Sequence, residues 1–344
     1  MVCLIKYNFG SLEIANNIRK LSLKMDLHNQ PLFICGHPKS GTSLLRSLLD
    51  GHPQLVVYPE ESVFFRRYLP LAEKKDIETQ LELAEENLIH IFTWNQENPP
   101  LSQRGFPDRD YSNISFDEIR DELRAILSDR PAKHAGDLLS AAILAFGKVT
   151  KQASSASKYW VEKSPYNEQF AAQIYAWWPN ARCLHVVRDP RDNFLSYSQK
   201  HADWSAEFFA KNWTKSTRIG INNQENFGKN KYSLIRFEDL VQSPENTLTQ
   251  MCQFLGIDFV PEISTPIRAG KSWAGNSMFD QEFKAISSAP VGRWREQVSA
   301  SDAAVIETMS AAEITAMGYS SPDHQPVSTR IRAASWPIRR RFRK

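Results

Sequence analysis

The chain has 344 residues, with 42 Lys+Arg against 39 Asp+Glu and a formal net charge of +3. Hydrophobic residues make up 42%, aromatics 11% and charged residues 24%, which excludes a disordered, collagen-like or disulfide-stapled chain. Seven basic residues and no acid crowd residues 330–344, so the remainder is mildly acidic and lacks the basic face of a nucleic-acid-binding core.

Residues 1–30 read as a short helical lead-in with no secretory signature, and no stretch approaches the roughly 18 apolar residues of a membrane span. Cys3, Cys35, Cys183 and Cys252 are far apart and form no CxxC pair. They read as free thiols in a reducing compartment, with no metal site, and the expected location is cytoplasmic. The basic tail, 327–344, reads as disordered; contact with an anionic membrane is the less favoured alternative.

Pro31–Cys35 is an apolar run ending at Gly36, a buried strand, and Thr42–Leu49 has helical spacing. Ile77–Trp94, Phe116–Leu127 and Leu138–Val149 repeat apolar residues every three or four positions, predicting three helices. They fall within a helical insert, 61–157, between the first two predicted strands, long enough to cap a site. Tyr159–Glu162, Arg182–Arg188 and Tyr232–Phe237 read as further strands, and Pro244–Leu255 as a helix. Pro190 suits the first turn of the helix after the Arg182–Arg188 strand. Strands alternating with helices predict an α/β fold: a doubly wound parallel sheet of the P-loop type, flanked by helices, over residues 31–326.

Gly36-His37-Pro38-Lys39-Ser40-Gly41-Thr42-Ser43 follows a strand and opens a helix, the setting in which backbone N–H groups bind an anion. Against GxxxxGK[ST] both glycines fit, but Thr42 stands where the Walker lysine belongs, and the lysine lies earlier, at Lys39. A lysine inside the loop suits a shorter ligand than a triphosphate, with one phosphate and one group to be transferred. Arg188 ends a strand and Ser196 lies eight residues later on the following helix. A guanidinium and a hydroxyl at a strand's C-terminal end suit a second phosphate.

Together, PKSGTSLLRSLLD (38–50) and VVRDPRDNFLSYS (186–198) resemble the PAPS-dependent sulfotransferase family, closest to its bacterial and tyrosylprotein-sulfotransferase-like branch. YSLIRFEDLVQSPENTLTQMCQFLGIDF (232–259) is similar to a downstream segment of that family, and the likeness spans about residues 31–300. The resemblance implies PAPS as co-substrate, no metal, and an acceptor hydroxyl on a glycan, small molecule or protein side chain. It assigns Lys39, Ser40, Gly41, Thr42 and Ser43 to the 5′-phosphosulfate, and Arg188 and Ser196 to the 3′-phosphate. Ser277 and Arg293 fall in stretches similar to a loop that folds over the nucleotide. It places a lysine beside the sulfuryl group at Lys163, and a catalytic glutamate after His52-Pro53. Ungapped counting lands on Glu60, and a one-residue insertion moves the role to Glu61. Both acids also suit the start of a helix expected near Ser62. His37 and His201 rank below them as bases. The expected activity is in-line sulfuryl transfer from PAPS. An ATP-dependent P-loop kinase and a catalytically inactive nucleotide-binding protein are the alternatives.

Overall fold

The computed structural model describes residues 26–93, 107–199, 203–275 and 286–319. Five strands form one sheet: β1 Pro31–Cys35, β2 Leu55–Val57, β3 Tyr159–Lys163, β4 Arg182–Val187 and β5 Tyr232–Arg236. Their order is β2-β3-β1-β4-β5, and every neighbouring pair is parallel. A parallel sheet needs cover on both faces, so its strands read as unbroken apolar runs. All five residues of β1 are buried. Side chains alternate across the sheet. Phe33, Cys35, Trp160 and Cys183 enter one core, while Leu32, Ile34, Val161, Leu184 and Val186 enter the other.

Among the described helices, the longer ones that matter for the site are α1 Thr42–Leu49, α2 Phe116–Asp129, α3 Gly136–Val149, α4 Pro190–Ser198, α5 Ala206–Phe227, α6 Pro244–Leu255 and α7 Ala300–Met309. The first core lies under α3, the second under α1 and α6. Local chemistry sets several boundaries. Ser115 accepts from Glu118 N at the start of α2, and Asp189 accepts from Arg191 N at the start of α4, where Pro190 occupies the first turn as expected. Gly256, at φ +65°, ends α6. No described helix is long and apolar enough to cross a membrane.

The structure departs from the expected elements at three places. Leu55–Val57 is an edge strand paired with β3, so the helical insert follows β2 rather than the first helix. Three residues between His52-Pro53 and Pro59 are too few to show a period. The expected helix 77–94 is α-helical only over Ile77–Ala84, then continues as a wide π turn, Glu85–Ile89, and a tight 3₁₀ turn, His90–Thr93. That change of pitch keeps Leu88, Ile89 and Phe92 in the core. After Pro244–Leu255, where no strand was expected, lies a small antiparallel hairpin, Ile267–Arg268 with Lys271–Ser272.

Candidate active site

The chain runs from β1 to one side of the sheet through β2 and β3, then crosses to β4 on the other side. The C-terminal ends of β1, β3 and β4 therefore meet at a topological switch point, where open α/β sheets bind ligands. The glycine loop, Lys163 and Arg188 stand at these three ends.

The loop's shape depends on its glycines. Gly36 has φ +141°, and a Cβ there would lie 2.5 Å from the Val186 carbonyl oxygen. Gly41 has φ +100°, and a Cβ would lie 2.4 Å from the Phe237 ring. Lys39 is also left-handed, at φ +67°, a strained conformation for a residue with a side chain. The loop is braced from below. Glu168, buried, accepts from Gly36 N at 3.2 Å and from Ser216 Oγ at 2.5 Å. Burial pushes its carboxyl up to about 7. Asn193 Nδ2 donates to Ser40 Oγ at 2.7 Å. His37 is buried against Tyr166, Tyr197 and Phe209, and burial pushes it down to about 4.

Lys163 joins the loop to the acidic segment. Its Nζ donates to Ser43 Oγ at 3.1 Å and to Glu61 Oε1 at 2.5 Å. Burial pulls the ammonium below its ordinary range, against the pull of Glu61. Burial raises Glu61 in turn, but Lys163, together with Arg109 and Arg46, holds the carboxyl below the usual range. The Glu61 side chain is 42% exposed, while that of Glu60 is 11% exposed and turned inward. Glu60 Oε1 accepts from Tyr111 OH at 2.6 Å and lies 3.4 Å from Arg109 and 3.5 Å from Arg268. Burial raises this carboxyl too, but Arg268, Arg109, Arg46 and Tyr111 hold it below the ordinary range. Arg46, buried on α1, donates to the Pro59 carbonyl and, at 2.8 Å, to Ser47 Oγ. Neither glutamate caps an α-helix: Val63 is left-handed and a π turn, Phe64–Tyr68, follows.

On the other side of the loop, Arg188 Nη1 donates to Ser196 Oγ at 3.0 Å and to the Lys39 carbonyl at 3.3 Å. Its Nη2 donates to the Pro290 carbonyl at 3.0 Å, and the guanidinium lies 4.6 Å over the Phe237 ring. Burial disfavours its charge, and so does Arg293 nearby. Arg188 and Ser196 are thus brought together. Asp189 and Arg191 form a buried bidentate pair, with contacts of 2.9 and 2.6 Å.

Lys163 thus joins Ser43 of the loop to Glu61, and Arg188 joins the Lys39 carbonyl to Ser196, with the charge of Arg293 nearby. Glu60 sits one layer behind Glu61, among arginines. Ser277, His201, residues 1–25 and the tail 327–344 lie outside the described residues. No cluster of His, Cys, Asp and Glu able to hold a metal ion occurs among the described residues. The sequence reading missed Arg46, Tyr111, Asn193 and Arg268. Only Arg46 carried a signal, a charge within the apolar run of α1; the others depend on long-range placement.

The family model described as "Sulfotransferase family" matches residues 31–261. The chain belongs to the sulfotransferase family. It is 22% identical over 234 residues to protein-tyrosine sulfotransferase 2 of Gallus gallus, covering 66% of this chain and 51% of that protein. It is 23% identical over 232 residues to protein-tyrosine sulfotransferase A of Caenorhabditis elegans, covering 66% and 50%. The chain thus spans about half the length of these curated relatives. Its fold resembles the sulfotransferase domain of the Synechococcus PCC 7002 olefin synthase, with a TM-score of 0.55 at 21% identity, covering 85% of this chain and 96% of that one. It also resembles the sulfotransferase domain of the curacin biosynthetic pathway, with a TM-score of 0.50 at 18% identity, covering 85% and 99%. Those structural likenesses bear out the P-loop-type α/β fold of this sulfotransferase-family chain.

Proposed function

We propose that this sulfotransferase-family chain moves a sulfuryl group from PAPS to an acceptor hydroxyl, releasing adenosine 3′,5′-bisphosphate. The observation that carries this reading is Arg188 at the end of β4, bonded to the Lys39 carbonyl of the glycine loop and to Ser196, with the charge of Arg293 nearby. Each arginine has a buried Nε without a hydrogen-bond partner, and Arg293 disfavours the Arg188 charge. A phosphate dianion between two guanidiniums relieves both costs. ATP carries no 3′-phosphate to place there.

PAPS, when bound, supplies the activated sulfuryl group. Backbone N–H groups and hydroxyls of Ser40, Gly41, Thr42 and Ser43 suit its 5′-phosphate, with Lys39 and Lys163 supplying positive charge beside the transferring group. Glu61 takes the acceptor proton in this reading. It is more exposed than Glu60 and bonded to Lys163, whereas Glu60 is engaged by Tyr111 and flanked by arginines. The segment 61–157 covers the acceptor side, since its Arg109 and Tyr111 reach the Glu60 carboxylate. The names of the curated relatives make a protein tyrosine one candidate acceptor, alongside a glycan or small-molecule hydroxyl.

Calorimetry with adenosine 3′,5′-bisphosphate and with ATP tests the donor. Tight binding of the first alone is expected, and preference for ATP would favour a kinase. Turnover of labelled PAPS against cell extract tests catalysis and points to the acceptor class. Donor binding without any transfer would favour an inactive nucleotide-binding protein.

A further inference from the structure

The turn after β4 supplies a second carboxylate that the bisphosphate reading does not use. Asp192, on α4, is buried. Its Oδ2 accepts from Gly292 N at 2.6 Å and its Oδ1 from Trp294 N at 2.9 Å. Those two amides flank Arg293 in the chain. Two further contacts hold the same strap: Arg188 Nη2 on the Pro290 carbonyl at 3.0 Å, and the Arg191 guanidinium 4.0 Å over the Trp294 ring. A strap of loop and one short helix, Trp294–Gln297, is thereby tied by four contacts to the turn after β4 and the start of α4. Among the described residues, the Arg293 side chain itself has no ion pair, so its backbone fixes where its charge is presented.

We infer that Asp192 is a positioning residue for the donor site: by holding the amides on either side of Arg293, it sets that guanidinium beside Arg188 for the 3′-phosphate. The inference rests on the bisphosphate reading above. It also makes a prediction opposite in sign to simple electrostatics. A carboxylate beside Arg188 repels a phosphate, so removing it without moving the strap would tighten dianion binding. Removing a latch would instead weaken binding, because a misplaced Arg293 no longer meets the phosphate.

Calorimetry with adenosine 3′,5′-bisphosphate and with AMP separates these outcomes, using the full chain, Asp192→Asn, Asp192→Ala, Arg293→Ala and the Asp192→Ala/Arg293→Ala double variant. Asp192→Ala should weaken bisphosphate binding by on the order of 10–100-fold, the scale of one lost charge-assisted contact, and leave AMP binding nearly unchanged. Asp192→Asn keeps one acceptor and should fall between. The double variant should bind no worse than Arg293→Ala alone, because Asp192 acts through Arg293. Thermal unfolding identifies a variant that fails to fold, and Asp192→Asn then carries the test. Unchanged or tighter bisphosphate binding in the folded Asp variants overturns the inference, as does full additivity with Arg293→Ala. Failure of the unaltered chain to bind the bisphosphate overturns the donor reading instead.

Discussion

Lys163 Nζ lies 2.5 Å from Glu61 Oε1 and 3.1 Å from Ser43 Oγ, so one buried ammonium connects an acidic side chain to the glycine loop. The arrangement has a consequence for pH. Burial raises the Glu61 carboxyl, and Lys163 is the largest influence opposing it. With Lys163 present, the acid limb of kcat/KM should fall below the ordinary carboxylate range. Lys163→Met leaves burial opposed only by the more distant Arg109 and Arg46, so the acid limb should move to higher pH, with a lower plateau. A pH–rate profile of the two proteins measures this, and an acid limb at the same pH in both would remove Glu61 from the proton transfer.

Arg188→Ala should weaken adenosine 3′,5′-bisphosphate binding far more than AMP binding, because only the first carries a 3′-phosphate. Loss of a charge-assisted contact costs on the order of 1.5–3 kcal/mol. Ser196→Ala should show the same preference with a smaller loss, since its hydroxyl accepts from Arg188 at 3.0 Å. Equal losses for both ligands, read by calorimetry, would detach Arg188 from the 3′-phosphate.

The glycine loop and the turn at Arg188 were legible as strand–turn–helix segments because each compresses its pattern into about a dozen consecutive residues. The strands β1 and β4 were legible because parallel strands buried on both faces leave continuous apolar runs. The edge strand β2 was not, since Leu55–Val57 is too short for any pattern. The assignment of Glu60 and Glu61 was not either. Adjacent identical residues differ only in what lies beside them, and Lys163, Arg109, Tyr111 and Arg268 come from three distant segments. Asp192 stood in the motif, but its partners, Gly292 and Trp294, lie 100 residues or more away.

Glu168 predicts a pH dependence of stability. Burial raises its folded-state carboxyl from 4.5 to about 7, so the folded chain holds the proton over a range where the unfolded chain releases it. This contribution is complete below about pH 4.5 and is lost as pH rises towards 7, a change of up to about 3 kcal/mol. Glu168→Gln resembles the protonated form and cannot ionise. Urea unfolding at pH 5 and pH 8 should show the unaltered chain losing more stability than Glu168→Gln between the two. Parallel behaviour of the two proteins would mean that Glu168 does not titrate there.

The last prediction separates the two glutamates. Glu61→Gln keeps size and shape but cannot take a proton as a carboxylate does. If Glu61 is the base, turnover should fall by roughly 10²–10⁴-fold, the usual contribution of acid–base catalysis. Donor affinity should change little, because Lys163 and Ser43 remain. Glu60→Gln should behave differently. Its carboxylate accepts from Tyr111 and lies near Arg109 and Arg268, so the loss falls on the packing of the acceptor side. Stability should drop by about 1–3 kcal/mol, the cost of a compromised buried charged hydrogen bond. Turnover of the folded fraction should fall much less than in Glu61→Gln. Single-turnover rates at saturating donor, with urea unfolding of each variant, make the comparison. A catalytic loss confined to Glu60→Gln would return the base to the position reached by counting from His52-Pro53, and the Lys163–Glu61 pair would then serve to hold the loop.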